Sequence, residues 1–345
     1  MLATGIWLGL LFFTPGIVLA VSGLFSVAPS FDSNVFESAA VSYTSFGARV
    51  TGRLGHNLEF DRFSVSGDIT SQLDLESTYF NESKLVISPK LSGVYQVNKN
   101  FRFRSGFEHF QKSFRGQGRT YTWSRYDIAG EKRITHRLST SMGAGYRLYR
   151  IQRGYRYAFT NPNLNLGIFY QAADNLTTRV TAQYFGMRSE DYPAFTVDED
   201  SLLVPNSSYQ RDSGFTGVLR IRYTGRIIMS GECGYELRTS NSVLGEFAQF
   251  RAGMTISGRL SKNMLYHLAG YLAKKRYATT ITGGRTQYRD PEQPAQNRLY
   301  LRIERKYAPA SALYFQISYL NNETLVNRVY YNKALVEIGF KYSLH

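Results

Sequence analysis

The C-terminal stretch 332–345 constrains this chain more than any other part, because its side chains alternate in character. From Ala334 to Leu344 every second residue is apolar or aromatic, whereas Glu337 and Lys341 fall on the positions between. A period of two is that of a β-strand, whose successive side chains point to opposite faces of the sheet. The stretch therefore predicts a strand with one face in an apolar medium and the other face against water.

The same alternation recurs in segments of about ten residues along most of the chain, which is the length of a membrane-spanning strand. Short turns and longer, more polar connections alternate between these segments. The short turns lie at 98–100, 135–137, 172–175, 224–226 and 308–310, and the two longest connections at 189–212 and 277–296. Short turns on one side of a sheet and long connections on the other are typical of a transmembrane β-barrel, whereas a soluble sandwich has no reason to keep that order.

The composition agrees with strands in a membrane. Aromatic residues make up 15% of the chain, through 26 Tyr and 23 Phe, which suit strands and interfacial girdles. The slightly negative mean hydropathy does not argue against this, since a barrel exposes only alternate residues to lipid. The single cysteine, Cys233, excludes an internal disulfide and a multi-cysteine metal site, and its apolar phase predicts a small apolar residue.

Residues 1–20 predict a cleaved export signal. They carry no charge, have an apolar core that is broken at Pro15, and offer compact residues for a cut after Ala20. The alternative is a transmembrane anchor, against which the Pro-Gly break and the lack of flanking charges argue.

The predicted fold is all-β, an antiparallel up-and-down transmembrane β-barrel of about fourteen strands. Sixteen strands is the alternative, if the stretch 36–50 forms a strand with a partner. After the signal at residues 1–20, we expect residues 21–57 to be a lead-in that either lacks strands or includes one. Residues 58–345 are expected to form the barrel.

With the export signal, the series of hairpins and the final ALVEIGFKYSL, the chain from about residue 60 onwards resembles the bacterial outer-membrane β-barrel proteins as a class. The resemblance implies export through the periplasm into the outer membrane of a Gram-negative bacterium, with outer-membrane lipid around the barrel. It also implies that the barrel-assembly machinery reads the last strand during insertion. Members of the class commonly end on Phe or Trp, whereas Leu344 and His345 follow Tyr342 here.

Fourteen charged residues take the phase opposite to the apolar residues of their segments, and we expect them to line the lumen. An arginine that faced lipid near the bilayer midplane would cost ~2–4 kcal/mol. The set is Arg102, Arg104, Arg125, Arg147, Arg179, Arg220, Arg222, Glu232, Glu236, Arg251, Arg302, Glu304, Glu337 and Lys341. One interpretation is a positive constriction that attracts anions, since guanidinium binds carboxylate and phosphate in a forked geometry. The other is a set of cross-strand ion pairs that fill and rigidify a narrow barrel.

The formal net charge of +15 bears on which partners and solutes the protein binds. Lysine and arginine are spread along the strands rather than gathered in a block, so we expect no nucleic-acid partner. The excess of basic over acidic residues favours a channel or exporter for small anions or acidic saccharides. The alternative is a non-conducting barrel that scaffolds or anchors a secretion or surface-assembly complex, with a protein partner at the long connections or in the lumen.

The sequence gives little support for catalysis. It contains no G-x-S-x-G elbow, no H-E-x-x-H and no P-loop, so we expect no catalytic residue, no metal, no cofactor and no enzymatic activity. A hydrolase with a Ser–His pair assembled across strands is the remote alternative, for which His267 is the candidate in mid-strand. Several tyrosines near connections are expected at the membrane interface: Tyr121, Tyr155, Tyr157, Tyr330 and Tyr331.

Overall fold

The computed structural model describes residues 21–35, 40, 42–116, 120–153, 155–197, 203–243, 245–278, 297–323 and 330–344. Its strands are β1 (Val21–Asp32), β2 (Ser45–Glu59), β3 (Phe63–Glu76), β4 (Lys84–Asn98), β5 (Phe101–Phe114), β6 (Thr120–Arg133), β7 (Leu138–Arg153), β8 (Tyr155–Ala173), β9 (Leu176–Val197), β10 (Leu203–Thr224), β11 (Ile227–Ser240), β12 (Phe247–Ser261), β13 (Met264–Tyr277), β14 (Arg298–Ala308), β15 (Ser311–Glu323) and β16 (Tyr330–Leu344). A 3-10 helix, Phe80–Glu82, lies between β3 and β4. No helix within the described ranges is long and apolar enough to cross a membrane.

The strands form one closed antiparallel sheet in which each strand pairs with its neighbours in chain order. Closure is made by β1 and β16, whose register runs from Gly23 opposite Leu344 to Asp32 opposite Leu335. Because a closed sheet has no unpaired edge, its backbone hydrogen bonds are satisfied within the protein, which is the condition for crossing a bilayer with strands. The predicted all-β, up-and-down barrel is therefore confirmed.

The described barrel has sixteen strands, so the alternative of sixteen is confirmed and the expectation of about fourteen is wrong. The difference lies at the N-terminal end, where residues 21–57 contribute β1 and most of β2 instead of a lead-in. β1 does alternate, with Phe25, Val27 and Phe31 on the outward face and Ser26, Ser30 and Asp32 on the other, although Pro29 is unusual inside a paired strand. The expected signal at residues 1–20 lies outside the described residues and stays a prediction.

All the expected short turns lie at one end of the barrel, which we call the short-turn end, and the other end is the long-connection end. Both β1 and β16 have their outer chain ends at the short-turn end. The stretch 189–212 was expected to be a polar loop, but β9 continues to Val197 and β10 begins at Leu203, so most of it is an extended hairpin. The other long connection, 277–296, lies outside the described residues from 279 onwards.

The outward face of the barrel is apolar. Leu164, Leu166 and Ile168 follow one another on this face of β8, and each is more than half exposed. Large contiguous apolar surfaces are rare on soluble proteins, whereas a barrel presents them to lipid. The outward face is therefore the surface that contacts the membrane.

An engineered disulfide tests the pairing of β1 with β16. Leu24 and Ser343 lie directly opposite each other, and opposite Cα atoms in antiparallel strands are about 4.5–5.5 Å apart, which a disulfide can bridge. In a Cys233→Ser background, we expect Leu24→Cys with Ser343→Cys to form a cross-link on oxidation. The measurement is a reductant-sensitive mobility shift of the denatured protein on a gel.

The matched control for this cross-link keeps the strands and the face but changes the register. Ser30→Cys with Ser343→Cys places the two thiols six positions, roughly 20 Å, apart along the strand, where no disulfide forms. A barrel that closed without β1 would give no cross-link with either pair.

Candidate functional site

The strand register brings all fourteen residues that were expected in the lumen to one face of the sheet, which we call the polar face. Residues directly opposite each other in an antiparallel pair project to the same side. Glu337 lies opposite Gln316, which lies opposite Arg302 on its other side. Arg302 in turn lies opposite His267, and this succession of opposite residues continues around the sheet. Apolar side chains occupy the alternate positions and form the outward face.

The polar face bounds a cavity on the concave side of the wall. Seven consecutive strands, from β13 round to β3, contribute side chains to a cavity of about 620 Å³. Among its lining residues are Arg49, Tyr300, Arg302, Glu337 and Lys341. Basic, acidic and phenolic groups therefore meet in the same space.

A group of four charges, the Arg49 cluster, joins β2, β3, β4 and β16 on the polar face. Arg49 Nε donates to Asp74 Oδ1 over 2.7 Å, and its Nη1 donates to Glu337. Lys84 Nζ lies 3.7 Å from the other oxygen of Asp74. The side chains of Asp74 and Glu337 are only 5% and 3% exposed, so these carboxylates depend on their basic partners rather than on water.

A second group, the Glu304 cluster, lies on β14 and β16. Lys341 Nζ donates to Glu304 over 3.0 Å, and Arg302 approaches the same carboxylate at 3.4 Å. The Arg302 guanidinium also stacks on the Tyr314 ring at 3.9 Å. Two bases share one acid here, so the cluster keeps a positive excess.

Ion pairs also occupy the opposite wall. Arg102 pairs with Glu131 at 2.6 Å, and Arg220 pairs with Glu232 at 2.7 Å. The remaining acid of the predicted set, Glu236, accepts from Arg238 over 2.8 Å. All four predicted acidic residues are therefore neutralised by a neighbouring base.

Four arginines of the predicted set have no acidic partner within ion-pair distance in the described part of the chain. Arg147 donates to the Tyr149 hydroxyl and lies beside the Trp123 ring. The guanidinium groups of Arg179, Arg222 and Arg251 make no hydrogen bond to another side chain in the described residues.

Arg251 fits against Gly234, where a Cβ would lie 2.8 Å from its Nε, so the opposite strand leaves room for it. Its buried Nε makes no hydrogen bond to the described residues.

Three arginines on β9 and β10 form an exposed group that we call the basic patch: Arg179, Arg220 and Arg222. Arg179 lies directly opposite Arg220, and Arg222 lies two positions further towards the short turn. Like charges directly opposite each other in a sheet repel, and Glu232 neutralises only one of the three. The basic patch therefore favours an anion near the short-turn end.

The polar face is packed at the long-connection end. Tyr121, Phe159 and Met187 are buried together, with Phe114 and Tyr149 against them, and we call this group the inner aromatic cluster. The interfacial position expected for Tyr121 is therefore wrong.

Tyr331 is 2% exposed and shares the polar face with Asn322, so it too lies inside. Tyr330 is exposed on the outward face, as expected, and the side chains of Tyr155 and Tyr157 lie outside the described residues.

Ser257 and His267 lie opposite each other on β12 and β13, and the hydroxyl is 2.5 Å from His267 Nδ1. A nucleophilic serine needs a histidine that an acid orients and whose positive charge that acid stabilises. The residues beside His267 are Tyr300, in ring contact, and Arg302, directly opposite on β14. Glu304 lines the same cavity as Ser257 and His267, but its carboxylate pairs with Lys341 and Arg302 and makes no hydrogen bond to His267 within the described residues.

Sequence reasoning missed several charged residues of the polar face. Arg49 and Asp74 lie in stretches where the alternation of polar and apolar residues is loose. Around Arg49, however, the polar residues Arg49, Thr51 and Arg53 do alternate with apolar residues, and this alternation could have identified Arg49. Asp212 was assigned to a loop that the structure shows to be strand.

The sequence matches no protein-family model and no curated protein. Among solved structures it is similar to CdiB from Acinetobacter baumannii, with a TM-score of 0.51 at 10% identity, covering 94% of this chain and 60% of that one. It is also similar to the Pseudomonas putida toluene transporter TodX (TM-score 0.39, 11% identity, 96% and 90% covered) and to a bacterial polysaccharide outer membrane secretin (0.45, 8%, 94% and 98%). At these identities the likeness concerns the fold alone, which is the closed antiparallel β-barrel described above.

The Arg49 cluster predicts a stability difference between two arginines of the same strand. Arg49→Met leaves two buried carboxylates with fewer bases, and we expect it to lower the free energy of unfolding by about 3 kcal/mol. Arg53, four positions along β2, pairs with Asp68 but is 61% exposed, so Arg53→Met should cost under about 1 kcal/mol. Urea unfolding in lipid vesicles measures both, and equal losses would show that burial does not govern these pairs.

Proposed function

We propose that this barrel is an outer-membrane channel or exporter whose lumen is lined by the polar face and passes small anions or acidic saccharides. The observation that carries the proposal is the imbalance of neutralised charge. Every predicted acid has a basic partner, whereas Arg147, Arg179, Arg222 and Arg251 have no acidic partner in the described residues.

The imbalance acts on a permeating ion because a lumen has low-dielectric walls. Fixed charges of one sign in such a space concentrate counter-ions and exclude ions of the same sign. Barrels of sixteen strands are wide enough to leave an aqueous channel between side chains of opposite walls. Guanidinium groups bind carboxylates and phosphates in a forked geometry, which favours acidic solutes over halide ions of equal charge.

The basic patch gives the proposed channel a direction. It lies near the short turns, which face the periplasm in barrels of this class. An anion that arrives from the periplasm would meet Arg179 and Arg222 before it reached the packed long-connection end. This arrangement suits collection of acidic solutes at the periplasmic mouth.

Single-channel recording in a planar bilayer under a KCl gradient tests the proposal. We expect discrete conductance with a reversal potential that indicates anion preference. Arg179→Gln with Arg222→Gln removes two charges that no acid neutralises, so anion preference should fall at least several-fold while conductance persists. A citrate or polyphosphate blocker added on the short-turn side should lose affinity in the same variant.

A matched control keeps the charge change but moves it to the membrane side. Lys132→Gln with Arg305→Gln removes two basic side chains from the outward face near the short turns. Its selectivity should equal that of the unaltered protein. Equal loss in both variants would mean that overall charge, not the polar face, sets the preference.

The second candidate function is a non-conducting barrel that scaffolds or anchors a surface-assembly complex. The packed long-connection end favours it: Lys112 is 1% exposed, and its Nζ lies 4.8 Å from the centre of the Phe114 ring. A folded protein without conductance would support this function. Conductance that then appears in Tyr121→Ala with Phe159→Ala would locate the barrier in the inner aromatic cluster.

A further inference from the structure

Three arginines project from the outward face of neighbouring strands, on the side where the barrel contacts the membrane. Arg150 lies on β7, Arg188 on β9 and Arg211 on β10, in phase with the apolar residues of their strands. All three are exposed. None makes an ion pair within the part of the chain that the structure describes. We call this group the outward arginine patch.

Their height on the barrel is defined by the length of the apolar segment below them. Each arginine lies twelve or thirteen positions from the end of its strand at the short turn. For strands tilted at 35–45° this is roughly 30 Å along the barrel axis, just beyond an apolar band about 25 Å tall. The guanidinium groups therefore reach the headgroup layer at the long-connection end, which is the outer leaflet in barrels of this class.

Basic residues at this height do not ring the whole barrel, although Lys274 and Arg276 on β13 are also outward and exposed. At the corresponding positions on β2, β3 and β4 the outward residues are Phe46, Leu75 and Leu85. A general need for basic residues at the outer interface would not produce this difference. The sector from β7 to β10 therefore differs chemically from the sector that carries these apolar residues.

Within the patch, Arg188 and Arg211 are directly opposite each other across β9 and β10. Their Cβ atoms are then about 5 Å apart, and like charges in this relation repel. Two acidic residues, Glu190 and Asp191, follow Arg188 on β9; Asp191 accepts a hydrogen bond from Ala158 N, and neither acid forms an ion pair with the three arginines at 4 Å or less. A doubly charged anion between the two guanidinium groups would turn this repulsion into two forked contacts.

The other two strands extend the patch laterally. Thr160 on β8 lies opposite Arg188, between Arg188 and the β7 strand that carries Arg150. From β7 to β10 the patch spans three strand spacings, roughly 14 Å. That width suits a headgroup with two anionic groups separated by a polar spacer such as a disaccharide.

We propose that Arg150, Arg188 and Arg211 bind the phosphate groups of a phosphorylated glycolipid in the outer leaflet of the outer membrane. The site holds the lipid against the side of the barrel between β7 and β10. Its chemistry is guanidinium on phosphate, with the apolar residues below the arginines in contact with the acyl chains.

The test uses the purified, folded protein in phosphatidylcholine nanodiscs that contain either lipid A or dephosphorylated lipid A. Native mass spectrometry measures the lipid retained per barrel. We expect retention of lipid A over its dephosphorylated form, and a loss of roughly 30-fold in affinity for Arg188→Gln with Arg211→Gln. Heat-modifiable mobility on a gel establishes that the variant is folded.

The double variant Lys132→Gln with Arg305→Gln is the control, because it removes the same charge from the outward face near the other membrane surface. It should retain lipid A as the unaltered protein does. Equal retention by both double variants, or equal retention of the dephosphorylated lipid, would overturn the proposal. Displacement of lipid A by an equal concentration of inorganic phosphate would also overturn it, because the site would then take free phosphate.

Discussion

The pairing of β1 with β16 is the constraint on which the rest of the structure depends. A bilayer offers no hydrogen bonds to an unpaired strand edge, so a sheet can remain in the membrane only if its first and last strands meet. The register from Gly23 opposite Leu344 onwards achieves this with strands that begin and end the described chain. All other strands then need only local hairpins, because every further pairing joins neighbours in sequence.

Closure also determines where charge can reside. Once the sheet is a cylinder, each alternate residue faces either lipid or the interior, and a charged side chain in mid-strand is stable only inside. The interior of this barrel keeps those charges in two ways. Buried carboxylates such as Asp74 and Glu337 are held by bases, whereas Arg179 and Arg222 remain exposed. The first arrangement stabilises the wall, and the second leaves it with positive potential.

The sequence predicts the face of a residue far better than its partners. A period of two identifies the phase of Arg220 or Glu337 without any knowledge of neighbours, and the register brings every such residue to one face. Partners depend on register between strands, which is why the bond from Arg49 to Glu337, across 288 positions, has no local signal. Periodicity is present even in β1, where Phe25, Val27 and Phe31 alternate with Ser26, Ser30 and Asp32, and the strand number was underestimated because this stretch was assigned to the lead-in. Periodicity cannot distinguish an inward tyrosine near a connection, such as Tyr121, from one at the membrane interface.

The two ends of the barrel differ in a way that neither composition nor phase reveals. Near the short turns, arginines such as Arg222 are exposed, and the like charges of Arg179 and Arg220 lie directly opposite each other, where exposure to solvent weakens their repulsion. At the other end, Phe159 and Met187 pack together and Lys112 lies over an aromatic ring. A charge buried there needs a specific partner, whereas a charge at the short-turn end needs only solvent or a mobile anion. The barrel therefore combines an end whose basic side chains are exposed with an end whose side chains pack together, and a solute that crossed it would have to separate the packed side chains.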